Sequence, residues 1–205
     1  VSRKEYYNDF VLPSLKTDNP IPVVASHVAY SGEDTLERLI EDMDKEEDNF
    51  RKERNGHSFN AWNINLCNED VINIHKSKRL IGINLDQRVL GISDKDINDN
   101  ATHADYVWQN IKGMMLAVIN SNDPELTSKE NLTKLFCLGT DMDGFIDPLN
   151  KYPTVLEFEE LRMDLINKIQ NDPDKNKFLF GLSEDAFVDN ICFNNAYDFV
   201  VKNFH

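Results

Sequence analysis

Long apolar runs are missing from the sequence, and none approaches the roughly 20 residues that a membrane-spanning helix requires. No secretory signal is visible either, because Val1-Ser2-Arg3-Lys4-Glu5-Tyr6-Tyr7 has no apolar core segment. Cysteine is scarce: Cys67, Cys137 and Cys192 lie far apart in apolar surroundings. An odd count at such spacing speaks against a disulfide framework and predicts buried free thiols. Basic residues are in deficit, with 22 Lys and Arg against 36 Asp and Glu and a formal net charge of -14. Nucleic-acid binding needs clustered Lys and Arg, so the balance argues against that class of partner. The free thiols and the missing signal favour a cytoplasmic location, with a periplasmic one open for a longer parent. The first residue is Val rather than Met, which points to a processed or truncated product.

What is present is an ordinary globular balance, 40% hydrophobic and 28% charged over 205 residues, enough for one sizeable core. Residues 3–16 read as the end of a helix, broken at Asp18-Asn19-Pro20. Three short apolar runs read as buried strands: Ile21–Ala25, Arg79–Leu85 and Leu135–Leu138. Between and after them lie helical patterns. Ser31 and Asp34 suggest a capping box before Leu36, Leu39, Ile40 and Met43, and Asn68 a cap before Val71, Ile72 and Ile74. Thr102 and Asp105 suggest another before a stripe of Val107, Trp108, Ile111, Met114, Met115, Val118 and Ile119, which reads as core. Thr154 with Glu157, and Ser183, open the last helical regions. The segment from about 44 to 62 is densely charged and reads as a solvated helix extension or surface insertion, removable at 46–58.

Strand, helix, strand, helix, strand, helix implies an α/β fold with a parallel sheet. Three strands cannot close a barrel, so the sheet reads as part of something larger, completed by further residues or another chain. Each strand end carries polar groups: His27 after the first, Asn84 and Asp86 after the second, Asp141 and Asp143 after the third. In a parallel sheet these ends share one side, and a His with an Asp there is a reasonable start for a divalent-metal site. His103-Ala104-Asp105 has metal-ligand spacing but sits at a helix start, where capping explains Asp105. His57 and His75 read as surface residues. An EF-hand fails, because Gly144 falls at loop position 4 and no Glu occupies position 12.

Taken in order, several stretches resemble the C-terminal part of the membrane (renal) dipeptidase family of metallohydrolases. Pro22-Val23-Val24-Ala25-Ser26-His27 is similar to its Pro-Val-Ile-x-Ser-His, and Asn65-Leu66-Cys67-Asn68-Glu69 to its Asn-Leu-x-Asp segment. Arg79 to Asn84 resembles its glycine-containing seventh strand, and His103-Ala104-Asp105-Tyr106-Val107 its His-x-Asp-Tyr helix start. Leu138-Gly139-Thr140-Asp141-Met142-Asp143-Gly144 resembles its Gly-Ser-Asp-Phe-Asp-Gly, with Tyr152-Pro153 and Asn195-Ala196 following in step. The resemblance implies a (β/α)8 TIM-barrel type, residues 1–205 supplying about its last three strand–helix units. It implies two zinc ions and hydrolysis of a dipeptide or related amide by metal-activated water. His27 would be a metal ligand, Asp141 the general acid/base, and Asn84 and Asp143 substrate-binding residues, Asp143 also shaping the turn with Gly144. The other ligands would precede Val1, and the rest of the barrel would come from such residues or another chain, a homodimer among the arrangements. One departure stands out: the family holds the substrate carboxylate with an Arg where this chain has Ile64. Two alternatives remain open. One is a divergent, non-catalytic relative. The other is a haloacid-dehalogenase-like phosphatase, which Asp141-Met142-Asp143-Gly144 also resembles, although no later strand here carries a Lys or an acidic pair.

Overall fold

The computed structural model describes Pro13 and residues 24–204, apart from 44–50, 78, 125, 127–128 and 145. The readings at residues 3–23 therefore lie outside the described residues. Three strands form one parallel sheet in the order β1-β4-β5: β1 (Val24–Val28), β4 (Leu80–Ile83) and β5 (Phe136–Leu138). This is the parallel α/β arrangement that the alternation of apolar runs implies. The described strand Val24–Val28 runs through Ser26 and His27, beyond the Ala25 at which β propensity ends it.

The helices between these strands are α1 (Leu36–Met43), α2 (Asn68–Lys76), α3 (Gln87–Leu90) and α4 (His103–Ile119); α5 (Phe158–Gln170), α6 (Asn176–Leu179), α7 (Glu184–Asp189) and α8 (Asn195–Phe204) follow the sheet. α4 is the centre of the core. Val107, Trp108, Ile111, Met114, Met115 and Val118 are all buried on it, as the stripe predicts. It packs against α2 and α5, while β5 packs against α8 and the single π-helical turn Asn190–Asn194 that leads into it. Asn195 ties this end to the sheet by donating to Phe136 O at 2.8 Å and Thr133 O at 3.0 Å. Cys67 and Cys137 are buried and Cys192 half-buried, all as free thiols. Burial pushes Cys137 and Cys192 up to about 11.

Three cap assignments need correction. Ser31 donates to Leu66 O at 2.9 Å, and Thr35 Oγ1 receives Arg38 N–H at 3.3 Å to open α1 instead. Cys67 precedes α2, and its N–H donates to Asp70 at 3.0 Å, while Asn68 accepts from the buried Tyr30 hydroxyl at 2.6 Å. Thr102 precedes α4 but gives its hydroxyl to Asp99 O at 2.8 Å, so no capping box forms with Asp105. In each case a partner distant in space or in the preceding loop outbids the helix end. Thr154 with Glu157 and Ser183 do cap, on the 3-10 turn Val155–Glu157 and on α7. Leu156 beside the first is exposed, and His75 is buried on the Val71 face of α2 rather than on the surface.

The charged segment differs most from its sequence reading. Residues Arg51–Arg54 (β2) and His57–Asn60 (β3) form an antiparallel hairpin, neither a helix nor a detached loop. Asn55 and Gly56, at φ 54° and 79°, make the two-residue turn that matches strand twist. The hairpin is packed. Phe59 is buried and meets Tyr30 edge-on at 4.9 Å, and Arg51 donates to Gly91 O and Ile92 O, both at 2.8 Å. Lys52 Nζ lies 2.6 Å from Oε1 of the buried Glu33, a charge contact without hydrogen-bond alignment. Deleting residues 46–58 is accordingly expected to destabilise the protein, because it strands Glu33 as an uncompensated buried charge and uncovers Phe59. The loss should be about 3–5 kcal/mol, read from the midpoint of urea denaturation; an unchanged midpoint would restore the insertion reading.

Candidate functional site

Two backbone anomalies meet at the C-terminal edge of the sheet. β1 pairs Val24 with Leu80, Ala25 with Ile81 and Val28 with Ile83, so Ser26 and His27 together face the single Gly82. This is a bulge, a device that re-aims a side chain and is common beside functional sites. His27 there has φ 60°, and Asp141, just past β5, has φ 54°. Such values are uncommon for residues with a Cβ and have to be stabilised by their surroundings. Among the described residues two other non-glycine residues have positive φ, both at element ends away from this edge: Asn55 in the hairpin turn and Phe180 at the end of α6. His27 and Asp141 line the same cleft, of about 670 Å³, together with Asn84 and Asp86.

The elements around His27 fix its ring. Nδ1 lies 3.1 Å from Gly139 O. A carbonyl only accepts, so Nδ1 carries a proton here, and in the neutral ring the lone pair is on Nε2. That contact needs β4 and β5 to approach closely, and Gly82 and Gly139 allow it. A Cβ on Gly139 would stand 2.8 Å from Gly82 C, against backbone that cannot rotate away. Gly139→Ala is therefore expected to cost about 1–3 kcal/mol by forcing the strands apart. Thermal unfolding measures the cost, and a Tm within a degree of wild type would contradict the close approach.

Asn84 is buried, and both halves of its amide are engaged. Nδ2 donates to His27 O at 3.2 Å, and Oδ1 accepts from Asp86 N at 2.8 Å. The residue supports the bulge from beneath. Asp86 is the N-cap of α3 and accepts from Arg88 N at 2.8 Å, Asp147 N at 2.9 Å and the Arg88 guanidinium, with Nε at 3.0 Å. Burial works to raise its pKa, but these hydrogen bonds outweigh it and hold the carboxyl below the usual range. Asp141 is exposed, and among the described residues its carboxylate has no hydrogen-bond or ion-pair partner. The turn that presents it closes through Gly144 N to Asp141 O at 2.8 Å, and the bare Cα of Gly144 leaves room for the carboxylate. Asp143 is exposed on that turn and does not line the cleft.

His103, the other histidine of metal-ligand spacing, is fully buried. Its Nε2 lies 3.2 Å from Ile97 O, and its Nδ1 accepts from Lys151 N at 3.3 Å. Nε2 thus serves the loop before α4 and Nδ1 the segment between β5 and α5, and burial lowers the pKa of the ring. Among the described residues no group of three or more His, Cys, Asp or Glu side chains converges to hold a metal ion. A zinc centre takes three or four protein ligands. With Asp86 engaged by Arg88 and Asp147 N, the described residues offer the His27 imidazole and the Asp141 carboxylate toward a metal, which is less than a zinc site by itself.

Sequence reasoning brings His27, Asn84, Asp86 and Asp141 to one side of a sheet, and the structure places them on one cleft. It singles out Ile64 but misses that Trp62 lines the cleft with it, both following the unforeseen hairpin. Asn55-Gly56 is the signal that would have revealed it. Among the described residues no helix is long and apolar enough to cross a membrane. No protein-family model matches the chain, and no curated protein or solved structure matches it.

Proposed function

We propose that the cleft belongs to a hydrolase of the membrane dipeptidase type, cleaving a dipeptide or related amide bond. In this reading the chain supplies the last three strand–helix units of a (β/α)8 barrel whose chemistry lies at the strand C-termini. One observation carries it: His27 and Asp141, both held at positive φ, face one cleft at the C-terminal edge of a parallel sheet. Backbone strain of this kind clusters at active sites. Asp141 is the proton carrier, taking a proton from the attacking water and returning one to the leaving amine. His27 presents the Nε2 lone pair, with its tautomer set by Gly139 O. The two zinc ions of such enzymes activate the water when bound. Of their ligands the described residues offer His27, and the remainder would come from outside them.

A second reading, a relative that binds without hydrolysing, is favoured because among the described residues His27 alone brings an imidazole to the cleft. One assay separates the two. The intact protein, with and without added zinc and after chelation, is offered a panel of dipeptides and dipeptide amides. Hydrolysis that chelation removes and zinc restores is the expected result; no hydrolysis in excess zinc would overturn the enzyme reading.

A further inference from the structure

We infer that the cleft selects an uncharged, apolar substrate end, an amide or ester terminus rather than a free carboxylate, on the side formed by Trp62 and Ile64. The inference rests on the hydrolase reading for the chemistry, but its own ground is the opposite wall of the cleft. Ile64 is 46% exposed there, and the half-buried Trp62 and the apolar Val28, Leu66 and Ile146 line the same cleft. The wall is preorganised. Trp62 N donates to Asn60 Oδ1 at 3.1 Å, and Asn65 N to Trp62 O at 2.9 Å. The buried Asn65 then locks the loop to the body of the protein, donating to Asn60 O and Val89 O, both at 2.8 Å, and accepting from Ala29 N at 2.9 Å. A large aliphatic side chain held half in water by a rigid loop gains by being covered, without the ordering cost that a mobile loop would add.

The charges in the cleft point the same way. Among the described residues Arg88 is the cation that lines it, and its guanidinium is already paired with Asp86. Asp141 contributes a carboxylate with no counter-ion among the described residues. A carboxylate terminus set against Ile64 would lose hydration to an apolar wall and share the cleft with another anion. An amide or ester terminus meets neither penalty. At about 670 Å³ the cleft suits a ligand the size of a blocked dipeptide.

The test uses two uncleavable probes that differ only in their terminus. They are Leu-Leu with its peptide bond reduced to CH2–NH, as the free acid and as the C-terminal amide. Binding to the intact protein is followed by tryptophan fluorescence, and Trp62→Phe, which retains Trp108, shows which indole reports it. The amide is expected to bind at least about tenfold tighter than the acid, with the signal lost in Trp62→Phe. Ile64→Arg should erase or reverse that preference, and being at an exposed position it should leave Tm unchanged. Equal affinities, tighter binding of the acid, a signal that survives Trp62→Phe, or no binding of either probe at millimolar concentration would each overturn the inference. Because binding is read without turnover, failure of the hydrolase reading appears separately, as absent cleavage of a dipeptide amide by a protein that still binds the amide probe more tightly.

Discussion

Asp141→Asn is expected to lower turnover of an amide substrate by about 10²–10⁴-fold, the usual contribution of a positioned general acid/base, while leaving Tm within about 2 °C. The two halves of this expectation have separate causes. Activity falls because an amide side chain cannot take and return the proton. Stability holds because the carboxylate is exposed and, among the described residues, has no hydrogen-bond or ion-pair partner to lose. Backbone strain does not intervene either: Asn tolerates φ near 54° at least as well as Asp. Steady-state kinetics and calorimetry on the same preparation decide it. A fall in Tm that parallels the fall in activity would make Asp141 a structural residue.

Trp108→Ala is expected to be the most damaging single change to the fold. The indole is 1% exposed and meets Phe178 and Phe187 edge-on at 5.7 and 6.0 Å. Its Nε1 donates to Asp172 at 2.8 Å, joining α4 to the loop after α5. Truncation leaves a cavity among three elements and removes a donor from a buried carboxylate. About 4–5 kcal/mol should be lost, or about 10–20 °C in Tm for a chain of this size, a large part of a typical total of about 5–15 kcal/mol. Trp108→Phe keeps most of the volume and should cost only about 1–3 kcal/mol. Equal losses in the two variants would mean that the hydrogen bond, and not packing, dominates.

Asp172 adds a pH signature. Its burial works to raise the pKa, but hydrogen bonds from Lys112, at 2.7 Å, and Trp108 outweigh it and leave the carboxyl below its usual range. Its folded pKa therefore lies under the unfolded value of about 3.9. The stabilisation is complete above that value and fades as the pH falls through the folded pKa. Trp108→Phe should make the acid unfolding curve shallower below about pH 4, because one of the three hydrogen bonds that hold the pKa down, from Lys112, Trp108 and Asp174 N, is gone.

Local pattern carried the sheet and the faces of the helices. Three short apolar runs ending in polar residues gave β1, β4 and β5, and the 3.6-residue stripe on α4 gave the centre of the core. It failed where tertiary partners compete for the same side chain. Ser31, Asn68 and Thr102 are all good cap residues, yet each spends its polar group elsewhere, on Leu66 O, Tyr30 and Asp99 O. The hairpin escaped because charged β2 lacks the alternation that marks a half-buried strand, although Asn55-Gly56 was in plain view. The site was legible as a set of residue types on one edge. Its geometry was not, because neither the bulge at His27 nor the left-handed backbone at Asp141 leaves a trace in residue identity. Ile64 illustrates the limit from the other side: its identity was noted as a departure, but its place on the cleft wall depends on the hairpin before it.

A double-mutant cycle on His27 and Asp141 tests most directly whether these two residues form one catalytic unit. Asn replaces each, since it accepts positive φ at both positions, and amide hydrolysis by the intact protein is measured for wild type, both single variants and the pair. Residues that act as a unit are strongly non-additive, so the double variant should be no slower than the slower single one. Losses that multiply, or single variants as fast as wild type, would contradict the shared site.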